Sequence, residues 1–175
     1  MDMKKTKTKE MITVSLSAAL ICICSWIQVP SAVPFTLQTF AVVLASAVLG
    51  AKKGAAATLV YLLLGAVGLP VFSGFQGGIG ALLGATGGYA FGFIFAAVIV
   101  GLITDKYGIS LLTGVLSGAA GIAVCYLIGT LWFTFVYGDG NLAGAFSVCV
   151  LPFLLPDAIK ITLATLVAKR VKKLI

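Results

Sequence analysis

The chain contains no histidine in its 175 residues, and that absence removes two groups of chemistry at once. Serine–histidine nucleophilic catalysis has no base, and histidine-ligated metals have no ligand. Acids are scarce as well, with five Asp and Glu against twelve Lys and Arg. Only Asp157 and Asp139 offer themselves as a carboxylate pair, and Asp139 falls in a turn between apolar runs. The chain therefore does not read as an enzyme. It has no GxxxxGK(S/T) motif, so any ATP must be spent by a partner. The four cysteines, Cys22, Cys24, Cys125 and Cys149, lie in apolar runs without a CxxC pair, and we read them as small packing residues rather than metal or redox groups. Charge is the largest deficit of all. Only 10% of residues are charged, against about 25% in a soluble domain.

What fills the chain instead is apolar. It is 61% hydrophobic with 21 glycines, and its mean hydropathy is +1.16. There is too little polar surface to coat a water-soluble globule, so the expected solvent is lipid. An all-α integral membrane protein follows, as a single domain over residues 1–175. A membrane helix needs about 20 mostly apolar residues. Six candidate spans meet or approach that: 11–29, 36–50, 54–72, 83–104, 110–137 and 143–170. The first is too long for a signal-peptide core and has no small-x-small cleavage site after it, so it reads as a retained helix. The last two are long enough to require tilt or a break.

The cations support this count independently. Lys4, Lys5, Lys7 and Lys9 precede the first span; Lys52 and Lys53 separate the second and third. Lys106 separates the fourth and fifth, and Lys169, Arg170, Lys172 and Lys173 follow the sixth. Eleven of twelve cations thus fall on one side of a six-span arrangement. The positive-inside rule places that side, with both termini, in the cytoplasm. The net charge of +7 is then a topology signal. Short juxtamembrane clusters without interleaved aromatics do not suggest nucleic-acid binding.

Lys160 is the remaining cation, and no loop claims it. It stands in "LPDAIK" (155–160), three residues after Asp157. At that spacing the two side chains share a helix face. An unpaired charge in the bilayer centre costs about 2.5–3.5 kcal/mol or more, and pairing reduces this without erasing it. The pair reads as a ligand or ion site; the alternative is an ion pair that fixes helix register. Pro152 and Pro156 predict a break near 152–156 and a final helix beginning at Pro156. Asp157 then falls in its first turn, where the dipole favours a carboxylate.

The outer connections differ from the short charged inner turns. "VPSAVPFTLQTF" (29–40) carries two prolines and Gln38. "VFSGFQGGIGALLGATGGYAFGF" (71–93) is dense in glycine and carries Gln76, Thr86 and Tyr89. Glycines such as Gly77 and Gly78 let backbone N–H groups approach a ligand. Within the spans, Gly114, Gly118 and Gly121 read instead as close-packing positions.

Four ordered blocks, "VPFTLQTFAVVLASAVLGAKKG" (33–54), "YLLLGAVGLPVFSGFQGG" (61–78), "LLGATGGYAFGF" (82–93) and "LPDAIKITLA" (155–164), resemble the BioY family. That family comprises the biotin-binding S components of energy-coupling factor (ECF) vitamin transporters. The resemblance implies an S-component fold of six helices in the bacterial cytoplasmic membrane. It also implies biotin as ligand without a further cofactor, and partners consisting of a membrane T subunit and two ATPase subunits. Carried over by position, the implied site residues are Gln38, Gln76, Tyr89, Asp157 and Lys160. Two positions depart from the family pattern: Ala85 replaces a common proline, and Ala90 stands where some members place an arginine. S components also tend to carry small residues four apart on the first helix, facing the T subunit; Ser15, Ala18, Ala19 and Cys22 approximate this.

Biotin has a neutral ureido ring, an apolar thiophane ring and a carboxylate tail. In the expected arrangement Asp157 accepts from the ureido N–H and Lys160 donates to its oxygen or organises Asp157. Phe35 and Phe75 cover the ring. The tail points outward to Gly77, Gly78, Thr86, Tyr89 and Gln76, since no cation lies on that face. The competing function is a stand-alone small-molecule carrier coupled to an ion gradient, because an Asp–Lys pair can relay protons. Against it, no internal repeat of the secondary-transporter kind is evident.

Overall fold

The computed structural model describes residues 2–30, 34–137 and 140–174, with side chains from Lys7 onward except that of Tyr137. Asp139, with Gly138 of the outer turn, and the side chains of Lys4 and Lys5 lie outside the described residues. Helix α1 (Asp2–Trp26) leads into a two-residue strand β1 (Gln28–Val29), paired antiparallel with β2 (Phe35–Thr36). Then follow α2 (Gln38–Ala66), the single-turn α3 (Ile79–Leu82), α4 (Gly87–Tyr107) and α5 (Leu111–Trp132), which runs on as a π-helical turn to Tyr137. Helix α6 (Leu142–Cys149) and α7 (Leu154–Val171) complete the chain.

Five helical stretches are long and apolar enough to cross a membrane, and α2 is one of them although it is not a single rod. Gly50 has φ 81° and ψ 176°, a conformation that favours glycine and stops the helix. Gln38 hydrogen-bonds the Tyr61 hydroxyl, two residues that a straight helix would hold about 35 Å apart. The two arms therefore fold back on each other at Gly50, within the segment read as the "GAKKG" inner turn. Counted by arms, the described chain has the six spans the sequence predicts.

The third span stops at Ala66 rather than residue 72. Gly68 turns at φ 101° and Pro70 cannot continue the ladder. Residues 67–86 instead form a loop with a bridge between Phe72 and Gln76. It is pinned by donors from two helices: Trp26 Nε1 to the Pro70 carbonyl at 2.9 Å and Trp132 Nε1 to the Gly84 carbonyl at 3.0 Å. The break in the last span falls at 150–153, where a 3-10 turn (Leu151–Phe153) intervenes. Helix α7 begins at Leu154, two residues before Pro156, whose missing N–H costs nothing in a first turn.

Contacts along the helices fix which ends lie together. Asp105, near the end of α4, accepts from the Ala51 N–H at 3.0 Å and so caps the second arm of α2. Lys53 pairs with Glu10 of α1 at 3.0 Å. A methyl on Gly114, at the start of α5, would lie 2.2 Å from Thr165 of α7. The α2 turn, the N-terminal part of α1 and the C-terminal part of α7 therefore share one end with Lys52, Lys53, Lys106, Lys169 and Arg170. This half is packed through small residues. A methyl on Gly101 would sit 2.2 Å from the Ala51 backbone, and one on Gly118 would sit 2.4 Å from Ile161. The opposite end carries the hairpin, the 67–86 loop, and the starts of α2, α4 and α7.

Candidate functional site

At that opposite end the helices splay around a cavity of about 470 Å³, within the usual range for small-molecule sites. Its floor is built by α7 and α5. Asp157, 4% exposed, lies in the first turn of α7, where the helix N-terminus favours its charge. Lys160 Nζ donates to one carboxylate oxygen at 2.8 Å and the Tyr126 hydroxyl of α5 donates to the other at 2.5 Å. The side walls come from Gln38, Thr39 and Tyr61 of α2, Tyr89 and Phe93 of α4, and Cys125, Cys149 and Phe153. The rim consists of Gln28, Pro30, Pro34 and parts of the segments 73–76 and 80–87. Pro30, Gly74, Gln76 and Gly80 are exposed there, so the cavity is open at this end.

The polar side chains are held before any ligand arrives. Thr36 Oγ1 donates to Gln38 Oε1 at 2.9 Å, and the Gln38 amide donates to the Tyr61 hydroxyl. Tyr89 and Thr130 share a hydrogen bond of 3.1 Å. On the rim, the Ser73 hydroxyl donates to the Gln28 side-chain Oε1.

Six sequence-predicted residues meet in this one cavity: Asp157, Lys160, Gln38, Gln76, Thr86 and Tyr89. Four others stand outside its lining. Phe35 stacks on Phe153 with centroids 4.0 Å apart, so it backs a wall residue. Phe75 is 65% exposed and stacks on Trp26 at 5.2 Å. Gly77 is required for packing, because a methyl there would lie 2.3 Å from the Leu69 carbonyl oxygen. Gly78 spends its N–H on the Gly65 carbonyl at 2.7 Å. The small residues of α1 also divide: Ala18 and Cys22 are buried in the core, while Ser15 and Ala19 are exposed beside Leu16 and Ile23. The four share one helical arc, and the boundary between core and exposed surface runs through it.

Tyr126 and Tyr61 escaped the sequence reading. Each is a lone phenol inside a long apolar run, and a hydroxyl at membrane depth must find a partner. That requirement was the available signal.

The floor is a net-neutral donor–acceptor cluster. An ionised carboxylate has about four lone-pair sites, two of which Lys160 and Tyr126 occupy, so it can still accept. The ammonium has N–H groups beyond the one on Asp157. Such a cluster complements a group that carries N–H and C=O side by side, and the apolar walls suit a hydrocarbon ring.

Residues 1–175 match the sequence profile of the BioY family. The chain is 44% identical over 167 residues to the "Biotin transporter BioY" of Thermotoga maritima, covering 95% of this chain and 97% of that protein. It is 35% identical to the "Biotin transporter BioY2" of Lactococcus lactis subsp. cremoris, covering 94% and 90%. Among solved structures it resembles the S-component for biotin from an ECF-type ABC transporter. The TM-score is 0.89 at 26% identity, over 99% of this chain and 95% of that one.

Proposed function

The chain belongs to the BioY family, and from that premise we propose that it is the membrane-embedded biotin-binding S component of an ECF-type vitamin transporter. The observation that carries the binding role is the Asp157–Lys160–Tyr126 cluster at the floor of an open, apolar-walled cavity. The ureido group lies on this floor. Asp157 accepts from its N–H, Lys160 donates to its oxygen, and Tyr126 keeps the carboxylate turned toward the ligand. Gln38 and Tyr61 flank the ring, and Tyr89, Thr86 and Gln76 lie nearer the rim.

The cation-rich end faces the cytoplasm of a bacterial cell, so the cavity opens to the outside. Biotin is captured there and delivered with a partner T subunit and two ATPases, as the chain lacks a nucleotide-binding motif of its own. The exposed apolar strip of α1 around Ser15, Leu16 and Ala19 is the part of the predicted partner face that remains available. The whole chain acts as one membrane domain.

Equilibrium titration of the purified chain with biotin, using desthiobiotin and lipoate as competitors, tests the reading. Desthiobiotin keeps the ureido group and is expected to displace biotin; lipoate lacks it and is not. Equal displacement by lipoate would show that the floor does not read a urea. Uptake driven by a proton gradient with the protein alone in liposomes would instead favour an ion-coupled carrier.

A further inference from the structure

Lys160 is the only cation among the described residues that line the cavity, and it is already paired with Asp157 at 2.8 Å. The other described cations belong to the opposite end, around the α2 turn and the end of α7. Among the described residues the rim offers only neutral groups: the Gln28 and Gln76 amides, the Ser73 and Thr86 hydroxyls, and backbone N–H. An ionised carboxylate cannot be buried without a countercharge unless it is neutralised. Nor can it displace the ureido group from the floor without facing the Asp157 carboxylate.

From this we infer that the site takes carboxyl-blocked biotin, as biotinyl amides and biotinyl-lysine, alongside free biotin. The inference rests on the biotin-binding reading above and deepens it. With its ring on the floor, the ligand runs its valeryl chain toward Gln76 and Gly80, both exposed at the opening. Its carboxylate stays in contact with water at the rim. Whatever is joined to that carboxyl group then lies outside the cavity and meets no wall built by the described residues. Neutral amides and hydroxyls bond an amide oxygen about half as strongly as a carboxylate, a loss of about 1 kcal/mol for one bond, because only the charge-assisted part is lost. Specificity therefore resides in the ring, and the tail is permissive.

The test uses the full chain in lipid nanodiscs, titrated separately with biotin, biotin amide and ε-N-biotinyl-lysine. Both derivatives are expected to bind within about tenfold of biotin, the range set by the strength of a single rim hydrogen bond. A loss beyond about tenfold with either would overturn the inference, since it exceeds one rim hydrogen bond and would require a dedicated cation or a closed end. A folded chain that binds none of the three would overturn the biotin reading itself, a distinguishable result. The variant Gln76→Lys, which sets an ammonium at the opening, should raise the preference for biotin over its amide about fivefold or more. An unchanged preference would remove the tail from that part of the rim.

Discussion

Replacing Asp157 by Asn, Lys160 by Met, and then both together separates what the charged pair does for the ligand from what it does for the fold. The two side chains keep only 6% and 14% of their exposure. In Asp157→Asn the ammonium faces a neutral amide in a site that water reaches poorly. In Lys160→Met the carboxylate retains Tyr126 alone. Truncating one member of a buried pair costs about 3–5 kcal/mol, much of it from the stranded charge. The double variant strands nothing, so its stability should recover to within about 2 kcal/mol of wild type. Binding should not recover. The ureido group loses at least one charge-assisted hydrogen bond, about 1.5–3 kcal/mol, which is roughly 10- to 150-fold in Kd. Thermal unfolding in detergent reports the first quantity and biotin titration the second. A double variant that is stable and binds biotin within about threefold of wild type would show that the pair serves register alone, and the assignment of the floor would fall.

Tyr126→Phe removes the second partner of Asp157 without creating a cavity; biotin affinity should fall about tenfold, from the loss of a hydrogen bond to a charged group, with titration as the readout. Trp132→Phe deletes the bond to the Gly84 carbonyl, and hydrogen exchange across 83–86 should accelerate as about 1 kcal/mol of restraint is lost. Gly50→Ala forces a side chain into φ 81° and 2.5 Å from an Asp105 oxygen, so the folded chain should lose at least about 1–2 kcal/mol in detergent unfolding. Glu10→Gln, by contrast, breaks an ion pair whose members are 48% and 40% exposed, and stability should move by less than about 1 kcal/mol.

The spans and the polarity of the molecule were legible in the sequence because they obey one-dimensional rules. Length limits a helix in lipid, and cations collect at one end; Gly50 and the "GAKKG" turn fell where those rules put them. The break before α7 was legible because proline acts locally. Asp157 stood out because charge is rare in this chain. What stayed hidden depends on rotation and distance. Small residues four apart on α1 do not reveal which way the helix is turned, so Ala18 and Cys22 could not be separated from Ser15 and Ala19 in advance. Phe75 lies next to Gln76 in sequence but turns to Trp26, because Phe75 itself adopts φ 57°. Composition alone does not show that Gly77 packs against the Leu69 carbonyl or that Gly78 gives its N–H to Gly65. Tyr126 is 31 residues from Asp157, and no local pattern announces such a pair.

The glycine-packed half has a consequence for the cell that holds this protein. The cavity ends at Phe93, Ile122 and the Asp157–Lys160 floor; beyond them Gly101 abuts Ala51, Gly118 abuts Ile161, and Gly121 abuts Ala96 and Val100. At each of those contacts no file of water fits between the paired helices, and without one neither protons nor sodium ions cross hydrocarbon. A binding subunit that spans the membrane must not short-circuit it. The close contacts of Gly101, Gly118 and Gly121 would then serve as electrical insulation, and widening one is expected to show first as a leak of membrane potential.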